Sequence, residues 1–311
     1  MPIPRNPMTQ RLWLTGLIPA AFTPLKADGS LNLDAVPALV EHFLRDGVSG
    51  LYVCGSTGEG VSLTREERMA VAEAYTTAAA RRIPVVVQVG HNSLREARLL
   101  AEHAQKIGAD AVSATPPMYF KPANTEAVVA CMAEVAAGAP DLAFYYYHIP
   151  PMTGVNVDMA ALNTLGRERI PTWAGVKFSS TSVYDMVAAL NAPGAFNFVF
   201  GSDEMLLSGL VAGAHGAVGS TYNFAAPLFN KVIAAFQAGD IVAAQRHQLR
   251  ATTMILTILR HGALPALKAV MSLIGYDCGP TRLPHLPLNS AQVAALRADL
   301  DASGFFDWAT N

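Results

Sequence analysis

With 311 residues the chain can hold one large α/β domain or two small ones, and a hydrophobic share of 51% supplies a large core. Charged residues make up only 15% and the formal net charge is −2, which argues against nucleic acid or an anionic membrane as a partner. Cys54, Cys131 and Cys278 are odd in number and widely spaced, which fits a reducing, cytoplasmic setting better than a disulfide framework or a metal site.

Residues 1–14 carry Pro2, Pro4 and Pro7 with Arg5 and Arg11 and no following apolar core of a signal peptide, so they read as a loose arm. Leu17 to Ala21 reads as a short strand. Thr23-Pro24 and Asp28-Gly29-Ser30 supply turns before a helix from about Asp34 to Arg45, with Val36, Leu39, Val40, Phe43 and Leu44 on one face. Strand Leu51 to Cys54 follows. Thr64 with Glu67 forms a capping box that opens a helix through Arg81, and Val85 to Val89 is an apolar, β-branched strand. The same unit recurs: helix Ser93 to Ile107 and strand Ala111 to Ala114, then helix Thr125 to Ala137 and strand Ala143 to Tyr147. Helix Met159 to Gly166 leads to the strand around Lys177, helix Val183 to Leu190 to strand Asn197 to Phe200, and a short helix near Met205 to Val211 to strand Gly216 to Gly219.

Eight near-continuous apolar strands separated by single amphipathic helices predict a (β/α)8 barrel of the TIM type, an α/β fold, over residues 15–238. Met205 to Asn230 lacks charge, but its glycines and polar residues make it buried core rather than a membrane span. Residues 239–311 read as a C-terminal helical extension packed on the barrel, with helices Ile241 to Arg260, Ala263 to Ile274 and Ala291 to Ala302.

In such a barrel, chemistry sits where strands end and loops begin. The stretch Trp173 to Ser180 holds one lysine, Lys177, among apolar neighbours. Either its ammonium snorkels to the strand end, or burial lowers its pKa and leaves a nucleophilic amine. Gly55-Ser56-Thr57-Gly58-Glu59 after the second strand reads as a tight turn or as a cradle for a carboxylate or phosphate. In Tyr145-Tyr146-Tyr147-His148-Ile149-Pro150, alternation sends Tyr145 and Tyr147 to one face and Tyr146 to the other, as β-prone packing or as a proton relay beside Lys177. Gly201-Ser202-Asp203-Glu204 and Gly219-Ser220-Thr221-Tyr222-Asn223 make polar mouths that suit a polyhydroxylated ligand, although an acidic pair also caps helices. His91, His103, His215, His247 and His261 show no catalytic or metal spacing.

Together these segments resemble the class I, Schiff-base pyruvate-lyase family that contains dihydrodipicolinate synthases and N-acetylneuraminate lyases. The resemblance spans nearly the whole chain, through GSTGE, the YxIP element at Tyr147 to Pro150, GVK at Gly175 to Lys177, Pro265 to Lys268 and Arg282-Leu283-Pro284. YYYHIPPMTGV, GVKFS, GSDE and GSTYN are most similar to the N-acetylneuraminate lyase branch.

The resemblance implies an enzyme in which Lys177 condenses with the ketone of pyruvate or of a sialic acid, splitting N-acetylneuraminate reversibly into pyruvate and N-acetylmannosamine without metal or organic cofactor. It implies catalytic roles for Lys177, Tyr147 as proton relay, and Tyr119, the last inserted by a neighbouring subunit of a homo-oligomer, a tetramer by resemblance. Met118 stands where the family usually has the first tyrosine of that pair. It also implies that Ser56 and Thr57 bind the pyruvyl carboxylate, and that Ser179, Gly201, Asp203, Glu204 and Ser220 contact the sugar. The synthase branch places a carboxylate-binding arginine where this chain has Met152. The alternatives are a related Schiff-base lyase or dehydratase for other 2-keto-3-deoxy sugar acids, a dihydrodipicolinate synthase, or a non-catalytic sugar-acid-binding barrel.

Overall fold

Short buried strands alternate with helices that are apolar on one side, and this alternation builds the molecule. The structure, a computed structural model, describes residues 12–308. In chain order the elements are β1 (Gly16–Pro19), α1 (Val36–Arg45), β2 (Leu51–Val53), α2 (Arg65–Ala79), β3 (Val85–Gln88), α3 (Leu94–Lys106), β4 (Ala111–Ala114) and α4 (Thr125–Ala136). There follow β5 (Ala143–His148), the short α5 (Pro150–Thr153), α6 (Met159–Arg169), β6 (Trp173–Phe178), α7 (Val183–Leu190), β7 (Asn197–Phe200), α8 (Leu206–Val211), β8 (Gly216–Gly219) and α9 (Tyr222–Gln237). The tail comprises α10 (Ile241–Arg260), α11 (Ala263–Leu273), α12 (Ser290–Ala302) and α13 (Phe305–Trp308).

All neighbouring strands pair in parallel, in the order β1-β8-β7-β6-β5-β4-β3-β2. A parallel bridge between Ala20 and Tyr52, with the Ala21 N–H donating to the Tyr52 carbonyl at 2.9 Å, joins the two ends, so this is a TIM barrel. Sequence chemistry sets the helix starts. Thr64 and Glu67 form the expected reciprocal cap, and Asn124 and Asp158 each accept from a backbone N–H in the first turn of the helix that follows.

Strand alternation divides the core in two. Ile18, Tyr52, Val86, Tyr145, Tyr147 and Val199 point into the barrel, while Tyr146, Val176, Phe178 and Phe200 face the surrounding helices.

One expectation needs correction. Leu12 and Leu14 are not part of a loose arm: both are buried with the barrel-interior cluster. The Leu14 N–H donates to Asn197 Oδ1 at 2.8 Å, Asn197 Nδ2 returns a bond to the Leu14 carbonyl at 3.0 Å, and the Tyr145 hydroxyl donates to the Leu12 carbonyl at 3.1 Å. An eight-stranded barrel needs its interior filled, and this segment fills one end. The rest of that arm, residues 1–11, lies outside the described residues.

Met205 to Asn230 is the buried core that its composition predicts, with one element the sequence reading left unassigned. It continues into the 16-residue helix α9, which packs along α10. Pro227 and a non-helical Ala225 interrupt its first turns, and Tyr222 to Ala226 are all buried, so the amphipathic period is absent there. Among the described residues, no single helix is long and apolar enough to cross a membrane.

Candidate active site

Lys177 is the next-to-last residue of β6, paired with Tyr147 on β5 and with Val199 on β7. That register puts its side chain inside the barrel near the ends of the strands. It is 3% exposed, and its Nζ lies 3.7 Å from the centre of the Tyr52 ring and 3.9 Å from that of Tyr147. The two rings meet edge to face, with centres 5.7 Å apart.

Three influences compete over its proton. Burial withholds water from the ammonium, the nearby Asp203 carboxylate favours it, and the ring faces favour it by about 0.5–2 kcal/mol. Burial wins, and the amine is pulled down to about 7. Lys177 does not snorkel out.

Tyr147 points inward as alternation requires. Burial pushes its phenol up, against the Ser56 and Ser179 hydroxyls, and Ser56 Oγ stands 3.3 Å from the Tyr147 oxygen. Ser56 is exposed at the head of the loop after β2 and Thr57 is buried. Thr57 Oγ1 and Ser220 Oγ share a hydrogen bond of 2.7 Å, which joins that loop to the end of β8.

On the far side, Gly201 must be glycine because Ser179 sits against it: a Cβ there would come within 1.9 Å of Ser179 Oγ. Gly219 is confined in the same way by Asp203 Oδ1, at 1.8 Å from a would-be Cβ. Asp203 is buried, and its Oδ2 accepts from both the backbone N–H and the hydroxyl of Thr221, at 2.8 and 2.6 Å. Desolvation raises its carboxyl to about 6, against these two bonds. Only Oδ1 is therefore left without the Thr221 clamp. Glu204 follows on the same turn and is exposed.

The structure thus gathers Lys177, Tyr147, Ser56, Thr57, Ser179, Gly201, Asp203, Glu204 and Ser220 from five different strand ends. Tyr119 stands apart. It is 78% exposed on the loop after β4, where its ring packs edge to face on Phe120 rather than on the buried Tyr147. Asn92 Oδ1 accepts from the Met118 and Tyr119 N–H groups and fixes that loop. Met152 is 69% exposed on α5 and offers no charge.

Sequence reasoning missed Tyr52, whose hydroxyl donates to Ser113 Oγ at 3.1 Å while its ring faces the amine. It lies four residues before Ser56, inward by the same alternation that selected Tyr147. It also missed Thr221, although GSTYN contains it, and the anchoring of Glu59 by the tail. No group of three or more His, Cys, Asp or Glu side chains that could hold a metal ion occurs among the described residues.

A buried amine that is about half deprotonated at neutral pH, beside a phenol, with hydroxyls on one side and a carboxylate on the other, can form an imine with a keto acid and move protons around it. Comparison with known proteins points the same way. Residues 13–303 match the dihydrodipicolinate synthetase family. The chain is 38% identical over 301 residues to the N-acetylneuraminate lyase of Gallus gallus, covering 95% of this chain and 98% of that one. It is 40% identical over 297 residues to the N-acetylneuraminate lyase of Danio rerio, covering 93% and 96%. The solved N-acetylneuraminate lyase (sialic acid aldolase) of Aliivibrio salmonicida superposes with a TM-score of 0.91 at 38% identity, over 94% of this chain and 98% of that chain.

Proposed function

The chain belongs to the dihydrodipicolinate synthetase family, and we propose that it cleaves N-acetylneuraminate reversibly to pyruvate and N-acetylmannosamine through an imine on Lys177. The observation that carries this reading is the buried amine held near neutrality between Tyr52 and Tyr147. The relatives named as lyases supply the substrate.

Lys177 Nζ adds to the ketone carbon of the open-chain sugar acid and water leaves, giving an iminium. Tyr147, protonated at neutral pH, acts as a relay: as it takes the proton of the hydroxyl on the far side of the scissile bond it passes its own to the Ser56 oxygen, and the same relay run backwards returns a proton to the enamine carbon. That C–C bond breaks, its electrons reduce the iminium to an enamine, and N-acetylmannosamine departs. Protonation of the enamine and hydrolysis then release pyruvate and the free amine. Ser56 and Thr57 bind the carboxylate, while Asp203 Oδ1, Glu204, Ser179, Gly201 and Ser220 face the sugar.

Met152 removes the cation that a carboxylate-bearing aldehyde partner would need, a loss worth roughly 1.5–3 kcal/mol. The protein works as a homo-oligomer in which exposed Tyr119 reaches a neighbour's site, and it acts in the cytoplasm, where the free thiols of Cys54, Cys131 and Cys278 stay reduced.

Borohydride with pyruvate should leave a stable adduct on Lys177. Label on another lysine such as Lys121, or no label, overturns the mechanism. A panel of keto sugar acids then tests the substrate: N-acetylneuraminate should release pyruvate fastest, and preference for another acid, or for condensing pyruvate with aspartate semialdehyde, overturns the substrate assignment alone.

A further inference from the structure

We propose that the helical tail positions the two ends of the substrate site through separate anchors. Lys268 on α11 holds the carboxylate-binding loop through Glu59, and Gln248 with Thr252 on α10 hold the Asp203–Glu204 turn. This rests on the reading of Lys177 and its loops given above.

Glu59 closes the Gly55-Ser56-Thr57-Gly58-Glu59 loop with φ 54°, a left-handed conformation that strains a non-glycine residue. The loop is folded back on itself, with the Glu59 N–H donating to the Ser56 carbonyl and the Gly60 N–H to the Gly55 carbonyl, both at 3.1 Å. Wherever Glu59 is held, Ser56 and Thr57 are held too. Its carboxylate faces neither water nor the barrel. Oε1 accepts from Lys268 Nζ at 2.9 Å and Oε2 from the Arg282 N–H at 2.7 Å, while Lys268 also donates to the Pro280 carbonyl at 2.8 Å. Both side chains are almost wholly buried. A pair this dry contributes little net stability compared with apolar packing of the same volume, because desolvation offsets the attraction. What it does supply is a fixed direction for a strained loop.

The second anchor shares no residue with the first. Asp203–Met205 is a three-residue 3-10 turn with no side-chain cap of its own. Gln248 Nε2 donates to the Asp203 carbonyl at 3.2 Å, its Oε1 accepts from the Leu207 N–H at 2.9 Å, and Thr252 Oγ1 donates to the Glu204 carbonyl at 2.8 Å. Gln248 and Thr252 lie four residues apart, on one face of α10, so both side chains reach the same turn.

If these are positioning residues, their loss divides by substrate. Full-length protein is assayed in the condensation direction with pyruvate and N-acetylmannosamine, and borohydride trapping of pyruvate is timed for each variant. Thr252→Val removes one donor at constant volume and should raise KM for N-acetylmannosamine roughly threefold to tenfold, as expected for one hydrogen bond, with pyruvate trapping unchanged. Glu59→Leu with Lys268→Met replaces the ion pair by apolar volume and should slow trapping and raise KM for pyruvate by about tenfold or more, leaving KM for N-acetylmannosamine within about twofold. Should that pair not fold, Glu59→Gln keeps the bond from the Arg282 N–H but loses the charge facing Lys268, and the same split is expected. Folded variants that alter both substrates equally, or neither, overturn the proposal. Failure of the wild-type protein to trap pyruvate overturns instead the Lys177 reading beneath it.

Discussion

The rate of imine formation on Lys177 should depend on pH in a way that only a desolvated amine explains. An ordinary lysine titrates at about 10.4, so at pH 7 only about one amine in several thousand is neutral. Burial between the Tyr52 and Tyr147 rings brings Lys177 to about 7, where about half is neutral. Bringing the amine down to about 7 corresponds to a net penalty of about 5 kcal/mol on the ammonium, what remains of desolvation after the Asp203 carboxylate has offset part of it. Borohydride trapping of saturating pyruvate, followed by mass spectrometry from pH 5 to 10, should rise tenfold per unit at the acid end, bend near pH 7 and then level. Asp203→Asn keeps an oxygen for the Thr221 bonds but removes the charge that favours the ammonium, so the bend should move to lower pH. A rate that climbs without bending through pH 9, or an Asp203→Asn profile displaced upward, refutes the argument that burial sets this amine.

Tyr147→Phe should still trap pyruvate but lower kcat by about 10²–10⁴, whereas Tyr146→Phe, on the outer face of β5, should change kcat little; equal small effects in steady-state assays would show that the phenol is no relay. Lys177→Met should abolish activity and yet stabilise the fold. The folded-state pKa lies below that of the unfolded chain, so the penalty for the buried amine is present in full below about pH 7, is on the order of 4 kcal/mol at pH 7, and is relieved as pH rises toward 10.5. Thermal unfolding should therefore show a Tm advantage for the variant that is largest in acid and shrinks by pH 10. An advantage that grows with pH reverses the sign and refutes the linkage.

Much of the molecule was legible before any coordinates, because barrel architecture is written in local periodicity. Strands such as Val85–Gln88 are uniformly apolar and helices such as Val36–Arg45 are apolar on one side, so the order of elements already implies a parallel sheet covered by helices. Parallel strands give the barrel one functional end, and that places Lys177, Ser56, Asp203 and Ser220 in a single mouth without knowledge of any contact. The start of the helix after β8 was hidden because Tyr222 to Ala226 are buried all round and Ala225 and Pro227 break the period, although its later turns expose Lys231, Ala234 and Gln237 on one face. Tertiary structure decided what each polar group is free to do, since that depends on which distant residues share its dry surroundings. Leu12 and Leu14 close the barrel floor through Asn197, 183 residues beyond Leu14. Thr221 occupies one oxygen of Asp203, and Lys268, 209 residues beyond Glu59, holds that glutamate toward the helical tail. Sequence marked Lys177 as a lysine in an apolar strand; its burial among side chains brought together from β2 and β5 leaves the amine about half neutral at pH 7, because desolvation is a property of the enclosed space and not of the residue.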